Sequence, residues 1–270
     1  MAERIVLLGA EKQAATSAAL AYPERQFRFV SDQPVLDGWD LPNVTFTQGT
    51  PGNVALEKGE EAIALCPRWL PVDQQRPLSE VMPVLYDAFP GMILPVSYSP
   101  FPGQPCIVKG DRWHRPDSTI TGANLDPADV GDPYGCGTVY QPHWPAEQHL
   151  IVVGHKFGSG GPAAGGFRIH SESCARDDVL AAGETIDDEI LHPTFAALIR
   201  LQHRGFFTFN WLKRGNEYRL TSFRPAPRAV FGTFRNANIN LLAPTGLAIA
   251  PPGYKFVVDI TYTSYRRLVA

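Results

Sequence analysis

The sequence predicts a mixed α/β and α+β protein, in which a small N-terminal wound α/β domain over residues 1–90 precedes a larger domain over residues 91–270. Three observations favour this division. The chain opens on a strand, turn and helix pattern, a Pro-rich passage at residues 95–105 separates two strand-rich parts, and residues 205–228 have a hairpin pattern after a helical one. A chain of 270 residues is long enough to bury such cores.

Composition favours a soluble globular protein, since 44% of the residues are hydrophobic and 19% are charged. The longest apolar runs are far shorter than the ~20 residues that span a bilayer, and Glu11 and Lys12 stand where a signal peptide is apolar. We therefore expect a cytoplasmic protein with no membrane partner. The net charge of −3 gives no general attraction to nucleic acid, so nucleic acid is not expected as a partner.

Short apolar runs predict four strands and an Ala-rich helix in the N-terminal domain. The strands lie at residues 4–8, 26–30, 44–47 and 63–65, and the helix lies at residues 11–21. The turn at Gly9 lacks the second and third glycines of a dinucleotide fingerprint, so NAD is not expected to bind there. A further helix at residues 78–89, with Pro83 inside it, is expected to cross to the second domain.

The second domain begins with a strand at residues 105–110 that ends near Lys109. This residue is either an exposed strand-end lysine or a phosphate-binding cation at the mouth of a cleft. Residues 139–145 predict a strand that leads into a hinge, and residues 148–156 predict another strand. A glycine-rich loop at residues 158–166 follows; it is not a Walker A motif, and a mobile hairpin tip and a ligand contact both stay open.

The histidines and cysteines do not predict a metal site or a nucleophile. His149 and His155 share one strand but stand about 20 Å apart at about 3.3 Å per residue. The other histidines lack HxxxH or HExxH spacing, the 4 cysteines form no CxxC pair, and no GxSxG elbow occurs. We therefore expect surface or core histidines and buried reduced thiols.

The hairpin pattern at residues 205–228 is the candidate wall of an active site. Phe207, Phe209 and Trp211 alternate with polar or smaller residues, and residues 218–223 alternate on the return strand. One face can therefore join the core while the other presents side chains to a ligand. Near the C terminus, residues 255–262 alternate as well and predict an edge strand, which a partner chain or a loop could cover.

The order of these pieces resembles the ATP-grasp family over most of residues 91–245. The pieces that carry the resemblance are residues 105–109, 139–144, 150–153, 167–168, 176–186, the helix from Asp187, residues 205–209 and residues 218–228. The resemblance implies an ATP-grasp-like two-lobed domain at residues 91–270, with a lid-like part near residues 106–170 and a nucleotide between the lobes. The N-terminal α/β domain is the usual preceding domain.

The resemblance also implies roles for particular residues. Lys109 would face the nucleotide phosphates, Gln141, His143 and Trp144 would belong to the hinge beside adenine, and Arg168 would lie in the cleft. The implied cofactors are ATP and Mg²⁺, and magnesium binds hard oxygen ligands, usually carboxylates. In the family an acidic residue stands near the end of the first hairpin strand, and Glu-x-Asn-Pro-Arg stands at the end of the second.

The expected carboxylates are absent at these positions. Asn210 occupies the first and is the candidate metal ligand by position, while Ser222 occupies the second. Arg219, Arg224 and Arg228 make the hairpin exit cationic instead. Arg224 and Arg228 are the candidate catalytic residues, which either take over part of a metal's charge through forked contacts or form a solvated edge.

Four other carboxylates are candidates for displaced metal ligands, with surface and helix-start positions as the alternative. They are Glu184, Asp187, Asp188 and Glu217.

Two functions follow from the resemblance. The first is an ATP-dependent carboxylate–amine ligase that acts on a small acid through an acyl phosphate, with small carboxylate and amine substrates. The second is a catalytically divergent ATP-grasp-like binding or assembly protein with no ligase activity, and with a protein partner or a homo-oligomer as possible assemblies. A third interpretation, an unrelated two-domain α/β protein, predicts that Lys109, the hinge and residues 222–228 lie on separate surfaces.

Overall fold

The structure, a computed structural model, describes residues 4–9, 12–32, 41–66, 69–71, 74–111, 137–158, 160–175, 178–186, 190–228, 230–260 and 265–268. Within these residues the chain forms three β-sheets and four α-helices. None of the helices in this part of the chain is long and apolar enough to cross a membrane.

The N-terminal sheet is parallel, and its strand order is β3-β2-β1-β4. Its elements are β1 Arg4–Leu8, α1 Lys12–Ala21, β2 Gln26–Ser31, β3 Val44–Gln48 and β4 Glu60–Ala64. Helix α1 can pack closely because its inward side chains are small, and Ala14, Ala15 and Ala18 are fully buried. The predicted wound α/β layer is confirmed.

A seven-strand ladder and a short two-strand sheet make up the second part of the chain. The helices and the short sheet are α2 Leu78–Ala88, β5 Cys106–Gly110, β6 Thr138–Pro142, α3 Leu191–Arg200 and α4 Phe231–Asn236. The large sheet comprises β7 Gln148–Lys156, β8 Ala163–Ala175, β9 Asp178–Ile186, β10 Gly205–Arg214, β11 Glu217–Arg224, β13 Lys255–Ile260 and β14 Tyr265–Leu268, with β12 Ala248–Ile249 beside β8.

Both faces of the large sheet are covered by apolar side chains. On one face, Ile151, Val153 and Phe167 join a core that includes α4 and the N-terminal domain. On the other, Phe209 and Trp211 join a core with α2 and α3. The first of these cores contains residues from both sides of residue 90. The proposed division of the chain at that residue stays a prediction.

The N terminus of α2 is fixed by Asp111, directly after β5. The Asp111 carboxylate accepts hydrogen bonds from the Ser79 backbone N–H at 2.8 Å and from its hydroxyl at 2.7 Å. The predicted helix runs through Pro83, as its sequence indicated. This carboxylate is therefore engaged as a helix cap, although it lies two residues from Lys109.

The predicted hairpin is present, but its alternation is interrupted by a β-bulge. Trp211 pairs with Leu220 while Asn210 pairs with Ser222, so Thr221 is the additional residue on β11. Leu220 and Phe223 consequently both face the core, which strict alternation along β11 would not allow. Ser222 remains opposite Asn210.

The glycine-rich loop is shorter than the sequence predicted, because β8 begins at Ala163. Gly165 and Gly166 are strand residues, and a Cβ on Gly165 would lie 3.0 Å from Ala250 Cβ and 3.2 Å from Phe234 Cζ. These glycines serve close packing over the sheet. Strand β12 also contacts the loop, since the Ala248 backbone N–H donates to Pro162 O at 3.1 Å.

The prediction of an edge strand near the C terminus was wrong in position. Strand β13 pairs with β9 on one side and β14 on the other, so β14 is the edge strand. Alternation of polar and apolar residues does not separate an edge strand from an interior strand in an antiparallel sheet, which explains the error.

Replacement of Gly154 by alanine is expected to destabilise the protein by about 2 kcal/mol or more. A Cβ on Gly154 would collide with the Ala163 carbonyl oxygen and would lie 2.5 Å from Phe207 Cζ, so backbone must move. Urea unfolding of Gly154→Ala measures the effect. Gly49→Ala is the matched control, because a Cβ there meets nothing within 4 Å; equal stability of the two variants would contradict this packing.

Candidate active-site cleft

Lys109 lies on β5 and connects the short sheet to the hairpin. Its Nζ donates hydrogen bonds to Gln141 Oε1 at 2.6 Å and to Thr221 O at 2.9 Å. Gln141, on β6, donates from Nε2 to Leu94 O at 3.1 Å. The side chain is buried, and burial lowers the pKa of Lys109 to about 7. The bulge at Thr221 supplies an acceptor that no sequence pattern indicated.

A second group of polar side chains lies at the same bulge. Asn210 donates from Nδ2 to Ser222 Oγ at 2.7 Å, and Arg228 Nη2 donates to Asn210 Oδ1 at 3.3 Å. Thr221 Oγ1 donates to the Asn210 carbonyl at 3.2 Å. Lys109, which also donates to Gln141, therefore contacts the hairpin at Thr221, next to the group formed by Asn210, Ser222 and Arg228.

Arg224 reaches from the hairpin to the N-terminal domain. Its Nη2 donates to Leu65 O at 2.9 Å, directly after β4, and the residue is buried. Burial, and then the charge of Arg228, lower the pKa of Arg224 to about 9. A guanidinium with that pKa stays positively charged at neutral pH, so two like charges are held close together here.

The predicted hinge residues pack on the hairpin tip. The Trp144 ring centre lies 5.3 Å from the Arg214 guanidinium carbon and 5.6 Å from that of Arg219. The His143 backbone N–H donates to Pro105 O at 2.8 Å. Cation–π contacts thus position the hinge against the tip, and the predicted adenine contact of His143 and Trp144 stays a prediction.

Arg168 is not brought together with the hairpin group. Strand pairing places it in the row of Trp211, Leu150 and Glu184, whereas Asn210 belongs to the neighbouring row, whose side chains point to the other face. Arg168 Nη1 lies 3.1 Å from Glu184 Oε1. Its predicted role in the nucleotide cleft stays a prediction.

The residues at the hairpin exit do not fit Mg²⁺. Magnesium binds carboxylate and water oxygens in octahedral geometry, whereas Asn210 and Ser222 offer an amide and a hydroxyl. The Asn210 amide oxygen already accepts a hydrogen bond from cationic Arg228. Among the described residues no three His, Cys, Asp or Glu side chains form a group that could hold a metal ion.

Two of the four candidate replacement carboxylates are engaged elsewhere. Glu184 pairs with Arg168, and Glu217 lies 3.3 Å from Arg219 Nη2. Asp187 and Asp188 lie outside the described residues.

No family model matches the sequence, and no curated protein matches it. Solved structures do match the fold. An N5-carboxyaminoimidazole synthetase from Staphylococcus aureus is similar with a TM-score of 0.64 at 11% identity, over 95% of this chain and 82% of that chain. An L-amino acid ligase from Bacillus licheniformis gives 0.63 at 9% identity, over 96% and 79%.

A putative ATP-grasp superfamily protein from Archaeoglobus fulgidus is similar over nearly its whole length. Its TM-score is 0.61 at 11% identity, and the match covers 98% of each chain. The Staphylococcus aureus synthetase is also known in complex with ADP, where the similarity is 0.63. At these identities the likeness concerns the fold alone. From the order of its strands, its hairpin and these matches, we conclude that the chain has the ATP-grasp fold.

Proposed function

We propose that this chain is a catalytically divergent ATP-grasp protein that binds a nucleotide around Lys109 and does not carry out Mg²⁺-dependent ligation. The observation that supports this proposal is the hydrogen-bonded connection from Lys109 through Thr221 to Asn210 and Arg228. It provides a cation for phosphate oxygens. In the place where a magnesium-dependent enzyme needs carboxylates, it provides an amide, a hydroxyl and a guanidinium.

The environment of Lys109 favours an anionic ligand. Its two acceptors, Gln141 Oε1 and Thr221 O, are neutral, and burial lowers its pKa to about 7. A phosphate group brings the negative charge that compensates a buried ammonium. Nucleotide binding should therefore raise the pKa of Lys109 and take up protons near neutral pH.

Isothermal titration calorimetry with ATP, in Mg²⁺ and separately in EDTA, tests this function. We expect similar affinity in both conditions, and proton uptake when buffers of different ionisation enthalpy are compared. Lys109→Met should weaken ATP binding at least about tenfold, because a charge-assisted contact is lost. Lys58→Met is the matched control, since Lys58 lies exposed in a turn of the N-terminal domain. Absence of ATP binding by the wild-type protein would refute the proposal.

An ATP-dependent carboxylate–amine ligase is the second candidate. The named activities of two matching structures, a synthetase and a ligase, favour it. Its substrates would be a small carboxylate and an amine, joined through an acyl phosphate. The test is ADP release from ATP and Mg²⁺ over a panel of acid and amine pairs. Product formation that requires Mg²⁺ would replace the first proposal with the ligase. ATP binding without any turnover would support the first proposal.

The assembly and location of the protein remain predictions. A protein partner or a homo-oligomer is compatible with the binding or assembly function, and analytical ultracentrifugation would distinguish a monomer from a homo-oligomer. A cytoplasmic location is likewise proposed from the composition of the chain alone.

A further inference from the structure

Two neighbouring hollows open at the C-terminal end of α3, with volumes of about 390 and 460 Å³. Gln202 lines both hollows, so they form one continuous surface, which we call the α3 surface. Four basic side chains and one carboxylate line it, namely Arg76, Lys156, Arg200, Arg204 and Glu80. None of these residues belongs to the groups around Lys109 and Asn210, so the α3 surface is separate from the candidate cleft.

The end of α3 arranges the side chains of this surface. Gln202 has a φ of 50°, and its N–H donates to Ile199 O at 3.0 Å, while the His203 N–H donates to Leu198 O at 3.1 Å. These two bonds form a Schellman motif, in which glycine is the usual left-handed residue. Gln202 instead places an amide between the two hollows. Arg76, in the first hollow, also has a positive φ, of 54°.

Helix-end electrostatics explain only part of the basic character. Arg76 Nη2 donates to Leu201 O at 3.0 Å, and Arg200 lies in the last turn, so both offset the partial negative charge of the helix end. Lys156 and Arg204 lie outside α3, at the end of β7 and directly before β10. None of the four basic side chains forms an ion pair with a carboxylate of the described residues.

The positive charge extends across both hollows. His203 lines the second hollow, and burial is the main cause of its low pKa of about 4. The charges of Arg76, from the first hollow, and of Lys156, from the second, lower the pKa of His203 further. Adjacent hollows that are lined by one sign of charge attract ligands of the opposite sign.

Apolar side chains are interspersed with these cations. Ile199 lines the second hollow and is 69% exposed, and Val84 lines the first and is also exposed. Phe157, a further exposed side chain, stands in the chain between Lys156 and Gly158, which both line the second hollow. A protein segment that carries both carboxylates and apolar side chains would match both kinds of group on this surface.

Two other anionic partners match the surface less well. A nucleic acid backbone offers phosphates to the basic residues but no apolar group for Ile199 and Val84. A membrane-binding helix carries several lysines or arginines along its polar face, whereas Arg200 is the single one in α3. The mixture of charge and apolar groups therefore favours a protein partner.

We propose that the α3 surface is a docking site for an acidic segment of a partner protein, whose carboxylates contact the basic residues of both hollows and whose apolar side chains pack on Ile199 and Val84. This inference goes beyond the proposed nucleotide function and does not rest on it.

Fluorescence anisotropy with a short labelled peptide of interspersed glutamate and leucine tests the charge contribution. We expect binding that weakens as ionic strength rises, because exposed charges are screened. Replacing both Lys156 and Arg204 by glutamine should weaken binding at least about tenfold. Replacing Lys58 and Arg235 by glutamine removes the same charge from positions outside the α3 surface and should leave binding unchanged. A peptide with glutamine in place of glutamate should not bind.

The apolar contribution has its own variant. Ile199→Ser should weaken peptide binding about fivefold without changing its salt dependence, because it removes apolar contact and no charge. Leu56→Ser is the matched control, since Leu56 is 50% exposed in the N-terminal domain and lines neither hollow. Thermal unfolding midpoints show that each variant is folded, and Ile199→Ser decides the test if the double variant is not.

Several outcomes would overturn the inference. These are no binding of the peptide by the wild-type protein, or equal binding by the double variant and its control. Tighter binding of a single-stranded RNA or of phosphatidylserine vesicles, lost in the double variant, would assign the surface to nucleic acid or membrane instead. Sedimentation of a dimer that the double variant abolishes would identify a second copy of this chain as the occupant. ATP binding, measured separately, tests the nucleotide function alone.

Discussion

Truncation of Phe209 to alanine is expected to lower the free energy of unfolding by about 4 kcal/mol. Phe209 is fully buried in the middle of β10, and its ring centre lies 4.9 Å from that of Phe223 and 5.9 Å from that of Phe207. The deletion removes the transfer free energy of a whole ring. It also leaves a cavity in the core between the sheet and helices α2 and α3, and the pairing of β10 with strands on both sides restricts collapse.

Urea unfolding of Phe209→Ala at neutral pH measures this loss. Phe157→Ala provides the matched control, because the Phe157 side chain is 64% exposed and its truncation should cost under about 1 kcal/mol. Comparable losses in the two variants would mean that Phe209 does not occupy a packed core. Since Asn210 follows directly on the strand, ATP binding by the variant reports separately whether the cleft tolerates the cavity.

Acidification is expected to remove about 3 kcal/mol of stability through His203 alone. Burial lowers the pKa of His203 to about 4 from an ordinary value of 6.5, and its Nε2 lies 2.9 Å from Phe206 O. The unfolded chain therefore binds a proton between these pH values while the native state does not. The stabilisation is complete above pH 6.5 and is lost as the pH falls towards 4.

Equilibrium unfolding across this pH range, for wild type and His203→Gln, isolates the effect. The variant should lose the part of the pH dependence that His203 causes. His192→Gln, which removes an exposed histidine of α3, is the matched control. His155 contributes in the same direction, since burial lowers its pKa as well. Parallel stability curves for wild type and His203→Gln would show that His203 does not titrate as a buried neutral group.

The sequence predicted most elements because their patterns are local. Period-two alternation identified β10, and Ala-rich composition identified α1. The bulge was not predictable, because an extra residue in one strand is defined only by the partner strand. The same holds for Gly165 of β8, whose packing against Ala250 depends on a segment more than eighty residues away.

The candidate site was predictable only in part. The resemblance to ATP-grasp proteins selected Lys109 and Gln141, and the structure joins them by a hydrogen bond. The contact of Arg224 with Leu65 O spans 159 positions of sequence and has no local signal. The sequence likewise gave no signal for the packing of Trp144 against Arg214 and Arg219 at the hairpin tip, because this contact depends on where two separate strands end.

The extra residue Thr221 is not needed for pairing of β10 with β11, but its carbonyl oxygen is the acceptor of Lys109. A chain that lacked Thr221 could still pair Leu220 with Trp211 and Ser222 with Asn210, in a regular ladder in which each side chain keeps its face. Such a deletion would remove the carbonyl that accepts from Lys109. Strand length at this position therefore determines whether Lys109 has this acceptor, while the pairing of β10 with β11 does not depend on it.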